Sequence, residues 1–396
     1  MLNNEMPGCR IAVRAAGRVR LRSAVVKSAI LAVPAVALLL SAGVASAATA
    51  QQAAPAAAHA VKLGARPALA ANVTWHNLTL INGWQNGSGT ASPLYAISNG
   101  VVYLDGGIAQ PSPGGQVFAV LPKAARPSHA IYRSITGFGG TEVTLLILPN
   151  GEMQAYSTNP TTTAQQFSSL AGVSFPVAGT TWHKLNLING WVSANTPGNK
   201  AGNPAYAVKN GIVYLSGSVK QTSGSNTTFA VLPKAARPSV KMYLTDYMFQ
   251  QTRGTLVILK TGAIAALSGP QSEAQAFTSL SAISYPASGI TWHRLTLKNG
   301  WTAVSSALGA PSFAVKNGIV YLSGVLHQPS GTFIIFARAP AAIKPPTPLT
   351  MPIYTNGGTY GYFVVGGSPR MVVNSTPTSN SQTFASLAAV SYPVNS

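Results

Sequence analysis

The chain has 396 residues, of which 46% are hydrophobic and only 8% charged, with 26 basic residues against 6 acidic ones and a formal charge of +20. An ordinary soluble protein carries about 25% charged residues, but the apolar content excludes a disordered chain. The 38 glycines and 28 prolines among short β-branched runs point to an all-β fold with tight turns.

In chain order, Arg10, Arg14, Arg18, Arg20, Arg22 and Lys27 precede an apolar run from Ala29 to Leu40, and Ala45-Ser46-Ala47 follows it. This pattern predicts a secretory signal peptide over residues 1–47, cleaved before Ala48, and an extracellular protein. Cleavage leaves 20 basic residues against 5 acidic ones, a net +15. An uncleaved anchor over Ser28–Ala47 is the alternative, since that stretch is uncharged and nearly long enough to span a bilayer. Pro34 and the small-residue exit favour cleavage. No later segment is long and apolar enough to cross a membrane, so a soluble mature body is expected. Cys9, the only cysteine, lies in the part expected to be removed. Residues 48–72, rich in Ala, Gln and Pro, read as a linker.

After the linker a unit of roughly 105 residues is written three times, over 73–179, 180–289 and 290–396. The first opens with Thr74-Trp75-His76 and reaches Asn82-Gly83-Trp84; the others open at Thr181-Trp182-His183 and Thr291-Trp292-His293 and reach Trp191 and Trp301. Tyr95–Leu104 recurs at Tyr206–Leu215 and Phe313–Leu322. Phe118–Ser128 recurs letter for letter at Phe229–Ser239, whereas the third copy diverges over Phe333–Pro340. Each unit closes alike, at Phe175-Pro176, Tyr285-Pro286 and Tyr392-Pro393.

Within a unit, strand follows strand. Asn210-Gly211 readily takes positive φ at both positions, as a two-residue hairpin turn requires. Thr255–Leu259 and Ala263–Leu267 read as a second hairpin around Lys260-Thr261-Gly262. About eight strands per unit suit an antiparallel β-sandwich of jelly-roll type, three in tandem, with Ala274–Ser281 the best helical candidate. The run from Asn-Gly-Trp through Tyr206-Ala207-Val208 and Val213-Tyr214-Leu215 to Leu232-Pro233-Lys234-Ala235-Ala236-Arg237-Pro238 and Ile283-Ser284-Tyr285-Pro286 resembles the receptor-binding head domains of phage tail and baseplate proteins. The resemblance covers each repeat. It implies β-sandwiches, usually trimeric, that bind host-surface glycans. The chain departs from that pattern in its signal segment and in joining three units covalently, which predicts an intramolecular pseudo-trimer whose symmetry breaks at Phe333–Pro340.

Catalytic chemistry is sparse. The mature carboxylates are Asp105, Glu142, Glu152, Asp246 and Glu273, and none recurs in all three units. A glycosidase needs two flanking the scissile bond, and only Glu142 and Glu152, on adjacent predicted strands, are near enough in sequence. No nucleophile motif such as Gly-x-Ser-x-Gly is present. His76, His183 and His293 recur, and an ion shared at a threefold axis is a weak alternative to packing beside Trp, since no second ligand recurs with them. No metal, cofactor or enzymatic activity is therefore expected.

Binding chemistry is better represented. Trp75, Trp182 and Trp292 sit inside a strand and are expected to fill the core. Trp84, Trp191 and Trp301 follow Asn-Gly where a strand ends, and an exposed indole there would stack on a sugar face; capping the sandwich or burial at an inter-unit contact is the favoured alternative, since Trp is highly buried on average. Lys123, Arg126, Lys234 and Arg237 are candidate contacts for anionic polymers, although the same block also reads as a strand leaving the core. The basic residues are too dispersed for a specific nucleic-acid site. The expected function is a secreted, non-enzymatic binding or adhesion protein for surface glycans or anionic polymers. Alternatives are a structural or assembly protein of a cell surface or phage-derived particle and, less favoured, a hydrolase.

Overall fold

A computed structural model describes residues 73–112, 114–157 and 162–394. The signal segment, Cys9 and the linker expected over residues 1–72 lie outside the described residues.

The first repeat contains β1 (Trp75–Asn77), β2 (Gln85–Asn86), β3 (Leu94–Ser98), β4 (Val101–Asp105), β5 (Gly107–Ala109), β6 (Val117–Val120), β7 (Ile131–Thr136), β8 (Glu142–Ile147), β9 (Glu152–Tyr156), β10 (Ser168–Ser169) and β11 (Ser174–Pro176). They form three antiparallel sheets, ordered β1-β3-β4-β11, β2-β5-β10 and β6-β9-β8-β7. In the last, three hairpin-connected strands are joined by a fourth that lies beside the far one, a Greek-key order. Repeats two and three reproduce all three sheets strand for strand. The eleven strands exceed the eight expected because the small middle sheet is built from strands of two or three residues, too short to leave a periodic signal.

The β3–β4 hairpin turns on Asn99-Gly100, with φ of 53° and 70°, and the equivalent Asn210-Gly211 and Asn317-Gly318 do the same. Asn and Gly are the residues that take this left-handed pair at least cost. Strand β4 is buried along its whole length. Its side chains alternate between two cores, as strand geometry requires. Val102 and Leu104 enter the core of their own repeat, together with Phe118, Ile135 and Phe175. Val101 and Tyr103 enter a separate cluster, which they share with Ile212 and Tyr214 of the second repeat and Ile319 and Tyr321 of the third. The continuous apolar reading of this strand is thus a consequence of burial on both faces.

That shared cluster joins the three repeats. Tyr214 hydrogen-bonds through its side chain to both Tyr103 and Tyr321, and burial pushes the Tyr103 phenol up to about 12. Around it the repeats touch cyclically. Ala282 of the second lies in the core of the first, Ala171 of the first in the core of the third, and Ala388 and Ala389 of the third pack on the core of the second. Three repeats in one chain therefore contact one another pairwise and close a ring.

The ring's contacts are unequal. Tyr132 packs on Tyr247 and Phe277 across the first–second joint, at 5.5 and 5.6 Å between centroids. Tyr243 packs on Tyr354 and Phe384 across the second–third joint, at 5.2 and 5.3 Å. At the third–first joint the equivalent positions are Thr350 and Thr136, and Tyr360 instead donates its hydroxyl to Thr136 Oγ1 at 3.0 Å. The asymmetry lies here rather than at Phe333–Pro340, where Ile335–Arg338 still forms the expected strand.

The helical candidate is displaced: the helix spans Gln271–Ala276, and Thr278–Ser279 pair instead with Val219 and Ser218. Among the described residues no helix is long and apolar enough to cross a membrane.

Candidate functional site

The tryptophans after Asn-Gly take the buried alternative rather than the exposed one. Trp84, Trp191 and Trp301 are 3–4% exposed, each inside the core of its repeat. Their Nε1 atoms donate to Gly115 O, Asn226 O and Phe333 O at 2.9, 2.8 and 2.8 Å. A sugar-stacking role for these three indoles is corrected by that burial: the faces are covered and the only polar atom is spent on a loop carbonyl. Trp75, Trp182 and Trp292, expected in the core, are half-buried against the axial cluster.

The same loops carry a polar network that the sequence reading missed. Gln110 Nε2 donates to Asn82 O and Gly115 O, and its Oε1 accepts from Gln165 Nε2 at 2.9 Å. Gln221 with Gln275, and Gln328 with Gln382, repeat it. The available signal was the recurrence Gln110-Pro111-Ser112, Gln221-Thr222-Ser223 and Gln328-Pro329-Ser330. These glutamines hold the loop over the tryptophan.

Lys123 and Lys234 are exposed, but Arg126 and Arg237 are half-buried and donate through Nε to Leu121 O and Leu232 O at 3.0 Å. The arginines brace their own turns, leaving the lysines as free charge. His76, His183 and His293 are exposed, each beside the ring of Tyr95, Tyr206 or Phe313 at 5.2–5.3 Å. Among the described residues no three His, Cys, Asp or Glu side chains group as metal ligands. Glu142 and Glu152 do lie on adjacent strands, but at opposite ends. Leu148 bonds Glu152 at the turn, and the register runs from Ile147 opposite Met153 to Thr144 opposite Tyr156. The two carboxylates are thus roughly 20 Å apart at about 3.4 Å per residue, against the roughly 5–9.5 Å a glycosidase uses.

Glu142 belongs to a different constellation. It, Arg253 and Tyr360 are equivalent residues of the three repeats, each opening the strand after a short turn. Arg253 Nε lies 3.3 Å from Glu142 Oε2, and the Arg253 guanidinium lies 5.8 Å from the Tyr360 ring centroid. Glu142 Oε1 accepts from Ser134 Oγ. Burial raises the Glu142 carboxyl above its ordinary range, and Ser134 and Arg253 pull it partly back. Glu142, Arg253 and Tyr360 line a cleft of about 430 Å³ together with Gly139, Gly140, Thr141, Thr144, Gln251 and Thr376. Its size is that of small-ligand sites, and all three repeats contribute to it.

Beneath, Arg133 Nη1 and Asp246 Oδ1 form a buried ion pair at 3.7 Å. Burial raises Asp246 well above its ordinary range, Arg133 opposing the shift. Beside the cleft, Phe138 and Phe249 are 55% and 41% exposed. Phe249 precedes Gln250 and Gln251, both left-handed at φ of 51° and 63°, where the other repeats have Gly139-Gly140 and Gly357-Gly358. Left-handed backbone costs a non-glycine residue roughly 1–2 kcal/mol, and such strain concentrates at functional sites.

Comparison with protein-family models, curated proteins and solved structures finds no match for this chain.

Proposed function

We propose that this is a secreted, non-enzymatic binding protein for surface glycans or anionic cell-surface polymers. One observation carries the reading: none of the five carboxylates of residues 73–394 is exposed, whereas many of the bases are. Asp105 and Asp246 are buried, and Glu142, Glu152 and Glu273 are half-buried. Lys123, Lys184, Lys234, Lys260, Lys298, Arg294, Arg338 and Arg370 stand exposed. A surface with its acids sunk and its bases raised attracts polyanions over a long range. The composite cleft adds a concave, hydroxyl-lined site where specificity is read. Separation of Glu142 from Glu152 supports binding without hydrolysis. The resemblance to phage head domains supports a glycan rather than a protein ligand.

The test is an array of neutral and acidic glycans and polyol-phosphate polymers, probed with the whole chain at about 50 and 500 mM salt. Retention of anionic ligands that falls at high salt supports the reading. Failure to retain any glycan or polymer overturns it.

A further inference from the structure

We propose that the composite cleft binds one carboxylate-bearing sugar residue, its carboxylate on the outer edge of Arg253 and a hydroxyl group on Glu142; this rests on the glycan-binding reading above. The geometry ranks the two charges by depth. The Glu142 side chain is 15% exposed and that of Arg253 is 42% exposed. Glu142 engages Arg253 through Nε, and among the described residues no other carboxylate pairs with that guanidinium. The terminal nitrogens, on the opposite edge, remain the fork that a planar carboxylate fits with two parallel hydrogen bonds. The Tyr360 ring against the guanidinium and the Glu142 bond fix its plane, so little side-chain freedom is lost on binding.

The rest of the cleft suits the rest of a sugar. Both Glu142 oxygens already accept one hydrogen bond each and retain acceptor capacity for a ligand hydroxyl. Thr141, Thr144, Gln251 and Thr376 supply further donors and acceptors on the lining. Phe138 and Phe249 are exposed on the two turns that carry Gly139, Gly140 and Gln251, but neither belongs to the cleft lining. A phosphate dianion fits less well, because the Glu142 charge lies within one side chain of Arg253. Gln250 and Gln251 gain meaning here: the second repeat adopts a left-handed turn without glycine, and Gln251 reaches the cleft lining.

Calorimetry on the whole chain decides between the alternatives, with three probes: a trigalacturonate, its carboxyl-reduced neutral counterpart, and a glycerol-phosphate oligomer. The expected result is trigalacturonate binding at least about tenfold tighter than either other probe, a tenfold change being about 1.4 kcal/mol. Arg253→Gln lowers trigalacturonate affinity to that of the neutral probe. The near-ultraviolet circular dichroism of Arg253→Gln is compared with that of the parent, and Thr144→Val serves as a second cleft variant that keeps the charge pair and weakens both sugars alike. Equal affinity for acidic and neutral sugars overturns this inference alone, as does an Arg253→Gln protein that binds trigalacturonate normally. Preference for the glycerol-phosphate oligomer overturns the carboxylate assignment. Absence of any binding overturns both this inference and the reading on which it rests.

Discussion

At the scale of single residues, the acids that look dispersable in the sequence are the ones the fold has buried. Asp105 is 1% exposed, its Oδ1 accepts from the Gly106 N–H at 2.6 Å, and burial pushes its carboxyl up to about 6 from an ordinary 3.8. A raised native-state value means the folded protein holds the proton more tightly than the unfolded chain. This contribution to stability therefore declines as pH rises from about 4 to about 6 and is lowest above that window. The other repeats place Ser216 and Ser323 here. Asp105→Ser is expected to remove the slope between pH 4 and 6 and to raise stability at pH 7 by up to about 3 kcal/mol, as two pKa units convert. Urea unfolding at a series of pH values measures both.

Arg133 and Asp246 offer a sharper case. Their equivalents are Leu244 with Met351 and Ile135 with Ile353, so the repeats themselves show apolar residues in both places. Asp246→Ile alone leaves a buried guanidinium unpaired and should cost about 3–5 kcal/mol. Arg133→Leu with Asp246→Ile should recover parental stability or exceed it. A double-mutant cycle by chemical unfolding checks this, and two additive losses would refute the pairing.

At the scale of elements, hairpins and sheets were largely readable. Asn-Gly turns fix φ locally, and Arg253–Ile258 with Ala263–Ser268 forms the hairpin that the flanking residues predicted. What escaped was tertiary. Nothing local distinguishes Trp84, which ends under a loop, from Trp75, which ends at the axis; the difference arises from Gly115 and Gln110, some thirty residues downstream. The cleft escaped for a related reason. Aligning repeats rewards sameness, and Glu142, Arg253 and Tyr360 occupy one equivalent position with three different chemistries. The glutamine network gives the element-scale prediction. Gln221→Leu strips donors from Asn189 O and Asn226 O, which should cost about 0.5–1.5 kcal/mol. It should also shift Trp191 fluorescence to longer wavelength as its covering loop loosens.

At the scale of the whole molecule, two joints pack aromatic rings, whereas the third–first joint has Thr350 and Thr136 in those places and is held by the Tyr360 hydroxyl on Thr136, the Ser169 hydroxyl on the Thr350 carbonyl and Ala171 in the third core. Tyr132→Ala and Tyr243→Ala, which remove half-buried packed rings, should each cost about 1.5–3 kcal/mol. Thr350→Ala should cost under about 1 kcal/mol. Denaturant unfolding of the three variants measures the ranking, and equal losses would contradict the asymmetry. The third–first joint is also the one at which no chain segment ties neighbours together, so the ring relies there on contacts such as those of Tyr360, Ser169 and Ala171. Ligand binding across Glu142, Arg253 and Tyr360 would then brace this joint as well.

On the proposed reading, the repeats act together through one composite site rather than separately through three. Calorimetric stoichiometry tests it most directly, with a short acidic oligosaccharide titrated into the whole chain. One equivalent per chain is expected, with affinity at least about tenfold weaker in Arg253→Ala. Three equivalents per chain, or one bound with unchanged affinity in Arg253→Ala, would contradict it.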